Sequence, residues 1–181
     1  MADTQREKKE KRRTALIIIL LIGIIMCIAV TVWAVFFREP DKVITPDYAP
    51  GKLEPNAEKV TGDDTGKLDA PDGGGAISMQ YADKVTVDLS DQKAYLSYTN
   101  PSKSTQDIVL QIVIKGQVIV QSERIEPGYQ VKELPLIDGA DRLLSEGVYT
   151  EAVFKILSYD PKTGEKSMID TQAEITVTVQ K

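Results

Sequence analysis

The sequence predicts an all-β domain, folded as an antiparallel β-sandwich, which follows one N-terminal transmembrane helix and a flexible linker. Residues 14–37 form a run of 24 residues without a charged side chain. Residues 38–75 hold five of the nine prolines and six of the twelve glycines. From 76 to 181, short runs alternate between apolar and polar residues, which is the two-residue period of strands with one buried face. Together with a basic tail at 1–13, these three stretches divide the chain into four regions.

The composition disfavours several classes of chemistry. The chain of 181 residues has no histidine, the commonest metal ligand and general base, and its single cysteine, Cys27, lies within the charge-free run. The 27 acidic residues outnumber the 22 basic ones, which argues against a nucleic-acid partner because phosphate binding needs clustered Lys and Arg. We therefore expect no enzyme activity, no metal ion and no cofactor.

The charge-free run is long enough to cross a membrane. At about 1.5 Å per residue, a helix over residues 14–37 covers about 36 Å, against a hydrocarbon core of about 30 Å. A cleaved signal peptide is the alternative, but its apolar part has only about 7–15 residues and ends at a small-residue cleavage site, which this run lacks. The sequence therefore predicts a retained anchor, with three aromatic residues at the far membrane interface: Trp33, Phe36 and Phe37.

Basic residues before the span predict its orientation. Lys and Arg close to a transmembrane helix stay on the cytoplasmic side. The tail carries six such side chains against three acidic ones, and the six are Arg6, Lys8, Lys9, Lys11, Arg12 and Arg13. We therefore expect a cytoplasmic N-terminus, a single pass through the cell membrane and a C-terminal domain outside the cytoplasm.

The region at 38–75 has too few large apolar residues to bury a core of its own, which is typical of a solvated tether. Its acidic residues do not follow the spacing of a calcium loop. Within it, residues 44–50 place apolar and aromatic side chains between prolines. That short segment has two open interpretations, either as part of the tether or as a docking peptide.

The β domain contains seven or eight predicted strands. Turn signals at short intervals and the absence of alternating helices indicate an immunoglobulin-like sandwich. The most apolar run carries Ile and Leu on one face and Val109 and Val113 on the other, so we expect it inside the sheet. Lys115 and Gly116 should form a two-residue hairpin turn. The predicted strands are 77–81, 85–89, 94–98, 106–114, 118–120, 130–136, 148–159 and 173–179, with a helical turn at 138–146.

Two short motifs match parts of the penicillin-binding serine acyltransferase set: Ser-x-x-Lys at Ser90 to Lys93 and Lys-Thr-Gly at 162–164. That chemistry needs Ser and Lys one helical turn apart, whereas Ser90 lies in a connection between two predicted strands. The Ser-x-Asn element is absent, and the domain is too small for that fold. We interpret both motifs as turns.

A combination of motifs resembles a known group of proteins. The motifs are Pro46-Asp47-Tyr48-Ala49-Pro50, Gly73-Gly74-Gly75, Tyr98-Thr99-Asn100-Pro101, Ile125-Glu126-Pro127-Gly128 and Gly147-Val148-Tyr149, behind a basic start and one span. Over most of its length the chain resembles uncharacterised single-span envelope proteins of Gram-positive bacteria, especially Clostridia. The resemblance implies an envelope location and a small immunoglobulin-like ectodomain, and it implies no activity or site residue.

These observations predict a non-catalytic, membrane-tethered interaction or scaffold module of the cell envelope, with the lipid bilayer and an envelope protein as its partners. The alternative is an inhibitory, immunity or ligand-sequestering surface protein. Loops between strands carry binding more often than the strands do, although an exposed edge strand offers a second route. The candidate partner-binding residues lie at two predicted turns, and they are Asn100, Ser102, Glu126 and Tyr129.

Overall fold

The computed structural model divides the chain into two compact units, Met1–Asp41 and Lys42–Lys181. It describes residues 16–30, 46–63, 66–70, 74–168 and 170–181. The first unit contains a helix over residues 16–30, on which every side chain is exposed. Among the residues that the structure describes, no helix is both long enough and apolar enough to cross a membrane. Several predicted features lie outside the described residues: the two ends of the span at 14–37, the interface residues Trp33, Phe36 and Phe37, and the basic residues from Arg6 to Arg13.

The second unit is mostly β-strand, which confirms the all-β prediction for this part of the chain. Its strands form because successive side chains point to opposite faces, so each alternating run buries its apolar half. The strands are β1 (Ala57–Lys59), β2 (Gln80–Tyr81), β3 (Lys84–Asp88), β4 (Lys93–Asn100), β5 (Asp107–Ile114), β6 (Gln117–Gln121), β7 (Tyr129–Pro135), β8 (Gly147–Tyr159) and β9 (Thr171–Gln180). One 3₁₀ helix, Ala140–Leu143, lies within the predicted helical turn.

The strands form one sheet in the order β1-β7-β4-β3-β9-β8-β5-β6, and β2 pairs with β4 beside this path. Every strand pair is antiparallel except β3 with β9, which is parallel. The sheet curls, because Val120 at the end of β6 forms a bridge to Leu136 just after β7. We name β1, β7, β4 and β3 the first half-sheet, and β9, β8, β5 and β6 the second half-sheet.

One buried cluster forms the main core, and strands of both half-sheets contribute to it. Strands of the first half-sheet contribute Val85, Leu96, Tyr98 and Leu134, and β5 of the second half-sheet contributes Ile112. The Tyr98 ring meets the ring of Phe154 edge to face, with 5.9 Å between ring centroids. Burial of each large apolar side chain stabilises the fold by about 1.5–3 kcal/mol, so this core is the main source of stability.

The hairpin between β5 and β6 has the predicted two-residue turn. Lys115 and Gly116 adopt φ angles of 50° and 78°. Positive φ at both central positions is the geometry of a type I′ turn, which matches the right-handed twist of the flanking strands. The hairpin therefore holds β6 in a fixed register beside β5.

The described part of the predicted linker differs from a solvated tether. Residues 46–63, which we name the strap, pair with the β domain at several points. At its start, Tyr159 donates a hydrogen bond from its hydroxyl to the carbonyl of Pro46 at 3.1 Å, and the backbone amide of Ala49 donates to Gly164 at 2.8 Å. Ala49 also packs against a small buried cluster of Val109, Leu157 and Tyr159.

The strap continues with contacts that are mainly polar. The backbone of Glu54 donates to the carbonyl of Arg124, and its buried carboxylate accepts hydrogen bonds from Asn56 and from the backbone amide of Glu123. Strand β1 then pairs with β7. These contacts explain the difference from the sequence-based expectation, because backbone pairing, one buried carboxylate and two small alanine side chains, rather than large apolar side chains, hold this segment.

Candidate functional site

The four predicted partner-binding residues come together at one end of β4 and β7. Asn100 lies opposite Tyr129 in the sheet register, and the backbone amide of Gly128 donates to the carbonyl of Asn100 at 2.6 Å. Ser102 and Glu126 lie in the two loops that leave these strands. The sequence therefore places four residues from two separate turns in one neighbourhood, as the loop hypothesis requires.

The side chains of this loop group are largely engaged within the domain. Asn100 has 0% exposure, and its amide nitrogen donates to the carbonyls of Gln106 and Ile125 at 3.1 and 3.2 Å. Ser102 donates from its backbone amide to the Asp63 carboxylate in the strap. Asn100 thus stabilises the loops and is not accessible to a partner, which corrects its assignment as a binding residue. The Asn-Pro motif signals a turn but carries no information on burial.

Ser102, Glu126 and Tyr129 are partly exposed, in contrast to Asn100. The Glu126 carboxylate lies 4.0 Å from the Arg124 guanidinium. Tyr129 is half-buried and packs against the core, so part of its ring reaches solvent. Their role in binding a partner stays a prediction.

A second surface emerges from the register of the second half-sheet. On its outer face, Val113 of β5 lies opposite Val153 of β8 on one side and Val118 of β6 on the other. The three valines form a row across three strands, and each is only half-buried. The next outward residues along these strands form a second, polar row beside the valines. This row crosses four strands and consists of Gln172, Lys155, Gln111 and Gln121. We name these seven residues the valine face.

The valine face contains a shallow groove of about 450 Å³. Gly116, at the hairpin turn, has no side chain and leaves the groove open at that end. Gln111 forms part of the floor with 1% exposure, and its amide nitrogen donates to the Gln121 side chain at 2.7 Å. The lining residues are Gln111, Val113, Gly116, Val118, Glu151, Val153, Lys155 and Gln172. The groove therefore has an apolar centre and fixed polar groups along one side.

Opposite charges lie at the two ends of this groove along β8. The Lys155 ammonium lies 3.3 Å from the Asp170 carboxylate, which also pairs with Lys166 at 2.8 Å. These three groups sum to one positive charge. Glu151, two residues before Val153, is exposed and takes part in none of the salt bridges found among the described residues. The groove is thus positive at one end and negative at the other.

The buried titratable groups near the strap have a structural role. Burial raises the pKa of Asp107, and the Arg124 guanidinium, 3.6 Å away, opposes that shift. Burial also raises the pKa of Tyr159 to about 12, so its hydroxyl keeps the proton that it donates to Pro46. In the part of the chain that the structure describes, no group of three potential metal ligands lies close enough together to hold an ion.

Sequence reasoning did not single out the valine face, although one signal was present. Val109 and Val113 were recognised on the outer side of β5, where a half-exposed sheet usually carries polar residues. They indicated an interior strand, and β5 does lie between β8 and β6. The strap packs against the cluster of the buried Val109, whereas Val113 stays half-exposed. That distinction depends on the path of the strap, which the sequence pattern did not predict.

A scan of protein-family models and a search of curated proteins both found no match to the chain. The functional assignment therefore depends on the geometry described above.

Proposed function

We propose that this chain is a non-catalytic, membrane-tethered interaction module that presents its β domain outside the cytoplasm. The observation that carries the proposal is the valine face. The domain already buries a complete core between its half-sheets, so a further row of half-exposed valines is not needed to close that core. Apolar surface left in water costs roughly 25 cal/mol per Å², so the valine row gains free energy when another surface covers it.

The N-terminal helix supports the membrane tether. Its large apolar side chains over residues 16–30 are 48–66% exposed on all sides, and nothing polar interrupts them. A helix that is apolar all round needs an apolar environment, and the charge-free run in the sequence extends beyond it from 14 to 37. With the basic tail on the cytoplasmic side, the β domain would lie outside the cell membrane.

The strand order supports an immunoglobulin-like sandwich as the finer description of the domain. Two half-sheets enclose one core, and the parallel pair of β3 and β9 joins them. Such sandwiches present one sheet face or one set of loops to partners while the core stays unchanged. Both candidate surfaces, the valine face and the loop group around Tyr129, fit that mode of use.

The test is affinity isolation of the full chain after cross-linking in intact membranes, with wild type compared against Val113→Asp. We expect wild type to recover a defined membrane protein, either a second copy of this chain or a different protein, and Val113→Asp to lose it while the variant stays folded. Recovery of a secreted ligand would favour the sequestering alternative. Identical recovery from both variants would contradict a binding role for the valine face. Alkaline extraction of the same membranes tests the tether, because an anchored chain stays in the pellet.

A further inference from the structure

We propose that the valine face binds the valine face of a second copy of this chain. The two copies would be related by a two-fold axis that runs along the valine row, perpendicular to the strands. The inference deepens the proposed function by naming the partner of its site. It requires a surface that is complementary to itself, and both the shape and the charge of the valine face meet that requirement.

The shape of the face permits such packing. Two sheets that meet face to face lie about 10 Å apart, with their side chains interdigitated. Around an axis along the row, Val113 of one copy faces Val113 of the partner subunit, and the flanking valines do the same. The groove beside Gly116 offers room for these side chains to interdigitate.

The charges select this axis. Glu151 and Lys155 lie on either side of Val153 along β8, and four residues of strand separate them by about 13 Å. A two-fold axis along the valine row reverses the strand direction, so Glu151 faces Lys155 of the partner subunit, and the contact occurs twice. An axis parallel to the strands and running along β8 would instead place Glu151 opposite Glu151 of the partner subunit. Like charges at an interface oppose association, so the first arrangement is favoured.

One residue opposes the pairing and sharpens the test. Glu174 lies opposite Val153 in the register and ends the valine row at β9, where it is exposed. On the proposed axis it faces Glu174 of the partner subunit. Removal of that charge should therefore strengthen the association, an effect that a purely structural role for this exposed side chain does not produce. The contact area is small, and anchorage of both copies in one membrane would raise their effective concentration.

The experiment uses the full chain with Cys27→Ala, purified and reconstituted into liposomes so that no other protein is present. Val113→Cys reports on the interface through a short bis-maleimide, and Ser97→Cys, on an exposed position of β4, is the matched control. We expect cross-linked dimer from Val113→Cys and only background from Ser97→Cys. Thermal unfolding confirms that each variant is folded.

Charge exchange then tests the two-fold geometry. In the Val113→Cys background, Glu151→Lys or Lys155→Glu alone should lower the dimer yield at least about tenfold, because two symmetry-related contacts become repulsive. The double variant restores both contacts with exchanged signs, so its yield should return to within about twofold of the parent. Glu174→Gln should raise the yield, and Ser97→Lys on the other half-sheet should not change it.

The proposal is overturned if Val113→Cys cross-links no better than Ser97→Cys, or if the double variant fails to recover while folded. A liposome experiment without dimer, combined with a Val113-dependent partner in native membranes, would reject self-association and retain the proposed function. If alkaline extraction removes the chain from membranes, the proposed tether fails, and the charge-exchange series in detergent solution still decides whether the copies pair.

Discussion

The two outer faces of the curled sheet differ in what they expose. On the first half-sheet, the Lys93 ammonium lies 2.7 Å from the Glu133 carboxylate, and the Lys132 ammonium lies 2.6 Å from that of Glu58. Tyr95 donates its hydroxyl to Asp91. On the second half-sheet, a row of three half-buried valines crosses the outer face beside a row of polar residues. The inward residues follow the same alternation on both sides, so core formation does not explain the difference.

This contrast separates the needs of folding from the needs of binding. Exposed ion pairs contribute little to stability because water screens them, and they keep a surface solvated. Half-exposed valines gain little from folding and are stabilised only when another surface covers them. The strap covers part of the second half-sheet through Ala49, which shows how an extended segment can cover this face. The remaining valines are the part available to a partner.

The largest expected effect separates the two faces of one strand. Ile112 has 0% exposure and points into the core, whereas its neighbour Val113 points outward. Ile112→Asp should lower the free energy of unfolding by about 3–5 kcal/mol or abolish folding, because an unpaired charge enters the core. Val113→Asp should cost much less and should affect association instead. Denaturant unfolding of both variants checks this, and equal destabilisation would remove the distinction between the faces.

A smaller effect is expected where the strap meets the domain. The buried Glu54 carboxylate accepts hydrogen bonds from Asn56 and Glu123. Glu54→Ala should destabilise the β domain by about 1–3 kcal/mol, because these donors lose their partner. Glu146→Ala, which removes an exposed carboxylate away from both the strap and the valine face, is the control and should leave the melting temperature unchanged. If both variants have the melting temperature of wild type, the strap does not contribute to the stability of the fold.

The pH dependence of stability should report on the same covered region. Burial raises the pKa of Asp107 above its unfolded value, so the folded chain binds this proton at a higher pH than the unfolded chain does. Stability at this site should therefore rise as pH falls through the raised pKa and level off below 3.8, the ordinary pKa of an aspartate side chain. The free energy of unfolding of wild type, minus that of Asp107→Asn, should therefore increase as the pH falls. A decrease of this quantity on acidification would contradict the predicted sign.

The smallest effect is expected on the first half-sheet. A double-mutant cycle with Lys93→Ala and Glu133→Ala should show a weak coupling that salt reduces further, because both side chains are about 40% exposed. Calorimetry in low and high salt measures it. A strong, salt-resistant coupling would mean that this face is also organised for more than solvation.

The sequence predicted the β domain well because alternation reports directly on burial. Each long strand coincides with an alternating run, and the hairpin at Lys115 and Gly116 follows from turn chemistry. Strand β1 escaped prediction, since Ala57–Lys59 offers one small apolar residue and pairs through its backbone. Asn100 was predicted in an exposed turn, whereas it is the buried last residue of β4, because its burial depends on loops that are distant in the sequence.

The candidate site was only partly predictable for a related physical reason. Outward valines are visible in the alternation, but their coverage depends on which other segment crosses that face. The strap crosses near Val109 and Leu157, and the periodicity of the sequence contains no signal for a segment held by backbone hydrogen bonds. The valine face could therefore be recognised only once the register of β5, β6 and β8 was known.

The central claim is that a protein partner covers the valine face when the chain is in its native membrane. The outer face of the first half-sheet stays exposed there. The most direct measurement is the labelling rate of Val113→Cys and Ser97→Cys by a membrane-impermeant maleimide, each in the full chain with Cys27→Ala. The account predicts that Val113→Cys reacts severalfold more slowly in native membranes than in dilute detergent, while Ser97→Cys reacts at the same rate in both. Unchanged labelling of Val113→Cys would contradict the account.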